Sequence, residues 1–474
     1  MSDNKDNKKN NRKSIYHVTY IFIALFVLVI ANYIYFLIFK SNDFINNTYN
    51  QRHEVLTERV VRGNILSADR SFLAKTLIND FGKEKRIYPY DDLFVHLVGR
   101  TQEGRAGLEE TENIRMLTSD INPLEHMYNE LIGQKNLGNN VVTTLDVQLQ
   151  KVAYDALGDN RGAVVVMEPS TGKILSMVSK PGYNPNDARL LWPEITEDKD
   201  NEAPLMNRST QGLYPPGSTF KLVTALAYIR DNPDYLNYEY DCKGSIEHDG
   251  MIVNCYNRNA HGKVDLITSF AKSCNTSFAN MGIKLDMDHL YNISESLLFN
   301  QKLPLTMAYR PSSFQLKSGS GSTKEAMHTA IGQGRTLISP LHNAMIVSTV
   351  ANSGVMMKPY VVEQIESADG RVVKYYEPQP IANPMTEEEA AYLSLLMEEV
   401  VEEGTGRKLK DLKVSVAGKT GSAEVEGKKD HAWFIGYAPA DNPQIAFSII
   451  VENVGSSSQY AVPIAEKLVD AYFE

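Results

Sequence analysis

Ser218 and Lys221 stand three residues apart, behind the rigid turn Tyr214-Pro215-Pro216-Gly217 and ahead of an apolar run at residues 222–229. On a helix, side chains at that spacing share a face, so an amine comes within reach of a hydroxyl. A lysine shielded from water loses its charge and can act as a base toward serine. The plainer alternative is a helix cap at Ser218 and a solvated Lys221. A second stretch, Lys272-Ser273-Cys274-Asn275-Thr276, sets a hydroxyl and an amide two positions apart. The hydroxyl can relay a proton, and the amide can both accept from and donate to a peptide-like substrate. In isolation S-x-N is more often a turn or a cap. The third stretch is Lys419-Thr420-Gly421-Ser422, a K-T-G at the start of an expected edge strand. Small residues there let a substrate backbone lie alongside, while Lys419 supplies positive charge for a carboxylate. A phosphate-binding loop is excluded, because Lys413 occupies the position where that motif needs its first glycine.

Several elements must position these groups. Asp146 can cap a helix over residues 147–157. A β-branched run at 162–167, the turn Pro169-Ser170-Thr171-Gly172 and a second run at 173–178 predict a hairpin. A helix-rich middle extends to about residue 353. Thr386 and Glu389 form a capping box for a helix to about residue 403, ended by Gly404 and Gly406. Strands follow at 414–417, 433–438 and 445–452, then a last helix at 464–473. Strands at both ends with helices between predict an α/β (α+β) domain whose sheet is assembled from distant segments. Residues 42–140 are polar and mixed. They suggest a small α+β spacer, with a strand and turn at 59–66 and a turn at 104–107.

Composition narrows the function classes. A 474-residue chain that is 43% hydrophobic and 22% charged can build a real core. A net charge of −10 argues against nucleic acid as a partner. The N-terminus is more specific: Lys5, Lys8, Lys9, Arg12 and Lys13 precede an apolar run at 18–39, interrupted by Asn32. About 20 such residues span a bilayer as a helix. No A-x-A cleavage site follows, and the basic excess before the run places the N-terminus in the cytoplasm and the remainder outside. The expected division is therefore a tail at 1–13, a transmembrane helix at 14–40, a membrane-proximal spacer at 41–157 and a catalytic domain at 158–474.

With 3 cysteines the chain is no disulfide scaffold. Cys242, His248, Cys255 and His261 nevertheless lie close in sequence. They suit unlinked residues in a surface hairpin, a Cys242–Cys255 disulfide, or a zinc site whose spacing is not that of common zinc fingers. Cys274 has no motif that pairs it with a base.

S-x-x-K, S-x-N and K-T-G in this order are the signature of serine acyltransferases that react with penicillin. The chain resembles the penicillin-binding proteins, most closely the monofunctional class B transpeptidases, over nearly everything after residue 40. Arg62-Gly63-Asn64-Ile65, Gly107-Leu108-Glu109, Glu168-Pro169-Ser170-Thr171-Gly172, Ala330-Ile331-Gly332-Gln333-Gly334, Ser339-Pro340-Leu341 and Trp433-Phe434-Ile435-Gly436-Tyr437 carry that resemblance too. It implies a central antiparallel sheet flanked by helices and no cofactor. Ser218 would attack a D-Ala-D-Ala stem peptide of peptidoglycan, with Lys221 as base, neutral through burial and the neighbouring cation Lys419. Ser273 would pass a proton to the departing D-alanine, and Asn275 would hold Lys221 and the substrate amide. Lys419 and Thr420 would bind the terminal carboxylate. The N–H groups of Ser218 and Ser422, beyond Gly421, would form an oxyanion hole. Implied partners are nascent or lipid-linked glycan, β-lactams and a polytopic glycosyltransferase of the SEDS type. The membrane-proximal motif departs from the family pattern, with Asp69-Arg70 arriving late and Ser71 where Asn or Gly is usual. The rival readings are a membrane-anchored β-lactamase, against which the anchor and spacer speak, and a non-catalytic β-lactam-binding sensor or scaffold.

Overall fold

The computed structural model describes residues 3–36, 52–316 and 323–474, in two compact units, Met1–Val60 and Val61–Glu474. In the first unit, helix α1 (Asp3–Tyr35) contains the 20-residue stretch Tyr16–Tyr35, none of which is buried in the protein. A helix apolar on every side offers no face to water, and its length matches the hydrocarbon core of a bilayer. Residues 37–40 of the expected span, 41–51 of the expected spacer and 317–322 of the expected helical middle lie outside the described residues, as do residues 1 and 2.

The second unit is built on two large sheets. β1 (Ile65–Leu66), β2 (Phe72–Ile78), β3 (Glu84–Ile87) and β4 (Asn140–Thr143) begin the first. Asp146 then accepts a hydrogen bond from the Leu149 N–H and starts α2 (Val147–Leu157) where the sequence predicts it. β5 (Gly162–Met167) and β6 (Ile174–Lys180) form the predicted hairpin. The middle of the chain supplies α3 (Lys221–Asp231), β7 (Tyr240–Cys242), the hairpin β8 (Ser245–His248) and β9 (Met251–Asn254), and β10 (Gly262–Val264). Helices α4 (Asn275–Lys284) and α5 (Pro340–Ala351) follow. β11 (Val362–Glu366) and β12 (Val372–Tyr375) then return to the first sheet, whose order is β12-β11-β4-β1-β2-β3. Strand pairing therefore crosses the sequence division at 157/158: β11 lies antiparallel to β4, with Glu366 opposite Asn140.

The capping box at Thr386 and Glu389 opens α6 (Glu387–Glu402). β13 (Ala417–Ala423), β14 (His431–Ala438) and β15 (Ile445–Val451) complete the second sheet, antiparallel throughout in the order β13-β14-β15-β5-β6. Helix α7 (Ser457–Phe473) closes the chain. Two expectations shift here. The strand predicted at 414–417 begins only at Ala417, so K-T-G lies inside the strand. The last helix begins at Ser457 and carries Pro463 within it.

Continuous apolar runs in β5 and β15 are explained by burial on both faces. Alternate residues sort to opposite sides. Val164, Val166, Phe447 and Ile449 face a core shared with α2 and α7. Ala163, Val165, Ala446 and Ile450 belong to the larger core that takes in α3, α4 and α5. The sheet is thus a rigid wall between two helical layers, and β13 is its edge.

Candidate active site

The turn at 214–217 is held from three directions. Tyr214 exchanges backbone hydrogen bonds with Ile338 at 3.0 and 2.9 Å, and the Gly217 N–H donates to Gly332 O at 2.9 Å. The Trp433 indole donates to Pro215 O at 3.0 Å, which ties the turn to β14. Gly217 has φ +54°, and a Cβ there would lie 2.4 Å from Ser422 O. Only glycine combines that left-handed backbone with so close an approach to the edge strand. Residues Gly217–Phe220 form one 3₁₀ turn, and the α-helix proper starts at Lys221. Residues three apart eclipse in a 3₁₀ turn, so Ser218 and Lys221 keep the shared face the spacing predicts.

Ser218 is partly buried and Lys221 fully so. The Lys221 amine donates to Ser273 O at 2.8 Å and to Asn275 Oδ1 at 2.7 Å, and lies 3.2 Å from Ser273 Oγ. A neutral amine has two N–H groups and one lone pair. The two carbonyl oxygens use the donors, which leaves the lone pair for a hydroxyl. Burial lowers the Lys221 pKa to about 7. The Lys419 amine donates to Ser273 Oγ at 2.9 Å and to Thr420 O at 3.0 Å. Its pKa falls well below the usual range, through burial first and the neighbouring Lys221 cation second. The family resemblance implies that Lys419 helps burial to depress the Lys221 pKa. Burial is the larger cause at both amines, and two cations this close also disfavour each other's charge.

Ser273 sits between helix Leu266–Ala271 and α4, with φ +52°. A non-glycine residue in that region is held there by its surroundings: its N–H donates to Phe270 O at 3.1 Å and that of Cys274 to Ser269 O at 2.8 Å. The Asn275 amide N–H₂ donates to Asn254 O at 3.0 Å, at the end of β9. That contact fixes which way Asn275 points its oxygen. S-x-x-K, S-x-N and K-T-G thus meet around one hydroxyl, Ser273 Oγ, at the sheet edge. Thr420 Oγ1 hydrogen-bonds Thr405 Oγ1, and Ser422 is exposed.

The three motifs alone do not assign four further neighbours to the site. Gln333 donates through Nε2 to Ser422 O at 3.4 Å, and Ser457 Oγ donates to Gly421 O. Thr405 reaches Thr420 because Gly404 and Gly406 flank it; a Cβ on Gly404 would lie 2.3 Å from Ala271 O. The Gly-Thr-Gly triplet carried that signal. Asn254 acts through its carbonyl, which no side-chain pattern reveals. The set Cys242, His248, Cys255 and His261 does not assemble as read. His248 is exposed beside the hairpin turn, Cys242 and Cys255 are buried rather than superficial, and buried Cys274 stands with them and His261.

The family model for the penicillin-binding protein transpeptidase domain matches residues 162–470, well over half of the chain. The chain belongs to that family. A peptidoglycan D,D-transpeptidase PbpA of Mycolicibacterium smegmatis is 30% identical, over 97% of this chain and 98% of its own length. Penicillin-binding protein A of M. tuberculosis as an imipenem acyl-enzyme complex superposes with a TM-score of 0.81. It is 28% identical and covers 89% of this chain and 100% of its own. The D,D-transpeptidase domain of an Eggerthella lenta peptidoglycan glycosyltransferase gives 0.80 at 28% identity, covering 88% and 98%. These relatives place this transpeptidase with the class B penicillin-binding proteins.

Proposed function

We propose that the protein is a serine peptidoglycan D,D-transpeptidase that cross-links stem peptides through an acyl-enzyme on Ser218, and that β-lactams acylate the same residue. The observation that carries this reading is a fully buried Lys221 amine, turned toward Ser273 and Asn275, one 3₁₀ turn from Ser218. Ser218 Oγ attacks the carbonyl between the last two D-alanines while Lys221 takes its proton. Ser273, between the two amines, passes that proton to the leaving D-alanine nitrogen. Lys419 and Thr420 receive the terminal carboxylate, whose negative charge favours the protonated form of Lys419, with the proton taken up from solvent as substrate binds. The backbone N–H groups of Ser218 and Ser422 stabilise the tetrahedral oxyanion, a contribution of about 3 kcal/mol per donor in comparable sites. An amine of a second stem peptide then displaces Ser218. The substrate peptide runs along the free edge of β13.

The arrangement also supports a division of labour along the chain. Residues 41–157, joined by β11 and β12, form the membrane-proximal module, and 158–474 carry the chemistry. The apolar helix anchors the protein in the membrane, the basic tail stays in the cytoplasm and the catalytic domain lies outside. A SEDS-type glycosyltransferase docks on the transmembrane helix and spacer; deleting residues 1–45 should abolish co-purification, and unchanged co-purification would remove the helix from that contact.

The deciding test is intact mass of the detergent-solubilised chain after incubation with benzylpenicillin. A lasting adduct that disappears in Ser218→Ala is expected. Fast turnover of the drug without an adduct would mean a β-lactamase, and neither result from folded protein would mean a scaffold.

A further inference from the structure

The hairpin of β2 and β3, at one edge of the six-stranded sheet, carries large apolar side chains where no core receives them. Its turn, Asn79-Asp80-Phe81-Gly82-Lys83, is ordered by one side chain. Asn79 Oδ1 accepts from the Phe81 N–H at 3.1 Å and from the Lys83 N–H at 2.8 Å. The backbone closes the same turn, with the Asn79 N–H donating to Lys83 O at 3.1 Å and the Gly82 N–H to Asn79 O at 2.9 Å. Phe81 is thereby held outward and is 94% exposed, the most of any large apolar side chain among the described residues. Leu77 and Ile78 behind it are 46% and 52% exposed, and neither belongs to the two large apolar cores. Successive strand residues point to opposite faces, so the tip is apolar on both faces and at its end. Turns are ordinarily built of small polar residues. Apolar side chains gathered on a rigid tip mark a surface that binds something.

Charge and connectivity say what that is. Lys85 stands opposite Leu77, Lys75 lies two residues back on the same face, and Lys83 is exposed beside the turn. Glu84, opposite Ile78, is engaged by Lys135 at 2.6 Å, which leaves Asp80 as the acid of the turn. Lysines behind an apolar tip suit an anionic lipid surface, because their long stems keep the ammonium groups among phosphates while the tip goes deeper. The root of the hairpin is fixed near the start of the second unit, where Thr76 Oγ1 donates to Arg62 O at 3.0 Å. At 3.4 Å per residue, Phe81 stands within about 20 Å of that point. The apolar run of the anchor ends near residue 39, so about 20 residues join it to Val61, and Arg52–Arg59 is helical. That tether spans at most about 55 Å. A surface so tethered meets its membrane at a millimolar effective concentration, and a weak intrinsic affinity suffices for contact.

We propose that the β2–β3 hairpin docks on the anionic phospholipid surface of the membrane that helix α1 spans. Phe81, Leu77 and Ile78 enter the boundary between headgroups and acyl chains, and Lys75, Lys83 and Lys85 lie among the phosphates. The proposal rests on the reading of α1 as a membrane anchor. A second attachment removes the free swivel that a single tether would leave, and so restricts the tilt of the six-stranded sheet and of the cleft joined to it.

The test uses the full-length chain in nanodiscs of phosphatidylcholine, with or without phosphatidylglycerol, whose acyl chains are brominated or plain. Three variants each add one tryptophan, read after subtracting the emission of the parent. Phe81→Trp should be quenched about twofold or more by brominated lipid in discs containing phosphatidylglycerol, and less in phosphatidylcholine alone. Tyr256→Trp, on an exposed loop after β9, should be unaffected, and Phe26→Trp, inside the span, should be quenched in both lipids. Adding Lys83→Glu and Lys85→Glu to Phe81→Trp should abolish the difference between lipids. Because Phe81 is exposed, Phe81→Trp should melt with the parent and acylate at its rate. Quenched Phe26→Trp beside unquenched Phe81→Trp would overturn the docking, whereas unquenched Phe26→Trp would overturn the anchor itself. A blue shift of Phe81→Trp without bromine quenching would mean that protein covers the tip, and would also overturn it. Equal quenching in both lipids would overturn the part given to the lysines.

Discussion

Two places in this molecule bury a pair of cations, and they do so to opposite ends. Beside the six-stranded sheet, Arg62 and Arg86 clasp Glu109 from both sides, Nε to carboxylate oxygen at 2.6 and 2.7 Å, and Glu109 is 0% exposed. Burial alone would raise the Glu109 pKa, yet the two guanidiniums hold it below its ordinary value. In the cleft, Lys221 and Lys419 share the Ser273 hydroxyl, and neither amine is ion-paired to a carboxylate among the described residues. Both of their pKa values fall. A buried charge that is paired and hydrogen-bonded serves structure; a buried amine without a counter-ion gives up its proton and becomes reactive.

The largest effect should come from removing the unpaired amine. Lys221→Met keeps the volume of the side chain and should cut the acylation rate by about 10²–10⁴-fold, measured with a fluorescent penicillin. In the parent, acylation should rise with pH through about 7 as Lys221 becomes neutral, and this rise should vanish in the variant. The stability consequence has a definite sign. The folded pKa is depressed from 10.5 to about 7, so between those values the unfolded chain binds more protons and stability climbs with pH. Thermal melts of Lys221→Met should lose the Lys221 share of that climb and keep the share that the depressed Lys419 contributes. A variant retaining the alkaline rise in rate would assign the base to another group.

Breaking the paired cluster should do the reverse. Glu109→Gln leaves two buried guanidiniums facing an amide and should cost about 3–5 kcal/mol of stability, while the folded protein acylates at the parent rate. Because the folded Glu109 pKa is depressed, its contribution is present above the ordinary carboxylate value and lost as pH falls through the folded one. Acid unfolding of the parent should show this loss, and Glu109→Gln should not. A slower acylation at unchanged melting temperature would mean that the two regions are coupled, which the contrast between them denies.

What was legible in the sequence was local or short-range in register. Asp146, the 162–167 run and the Thr386–Glu389 box state their structure within a few residues, and α2, β5 and α6 appear where those signals put them. The three motifs declared their chemistry because each carries its reactive atoms within four residues. What stayed hidden depends on pairing between distant segments. Nothing near residues 362–375 says that they complete a sheet begun at residue 65, since register is decided by the partner strand. Closeness in sequence alone groups His248 with Cys242. The β8–β9 turn sends it to solvent, and the chain brings Cys274 in from beyond β10 instead. How deeply Lys221 and Lys419 are buried, which lowers both of their pKa values, is likewise a property of the fold alone.

The comparison can be sharpened with a pair that is ionic but hydrated. Lys173, just before β6, donates to Glu363 on β11 at 2.7 Å and so bridges the two sheets; the side chains are 26% and 22% exposed. If pairing alone made the Arg62–Glu109–Arg86 cluster stabilising, this bridge should matter comparably. If burial sets the scale, water already solvates both groups, and Lys173→Met should change stability by no more than about 1 kcal/mol, with most of that screened away by added salt. Chemical denaturation of Lys173→Met beside Glu109→Gln decides between the two. A loss at residue 173 approaching that at residue 109 would show that the sheets are joined chiefly through this contact, and that charge placement rather than desolvation governs the Arg62–Glu109–Arg86 cluster.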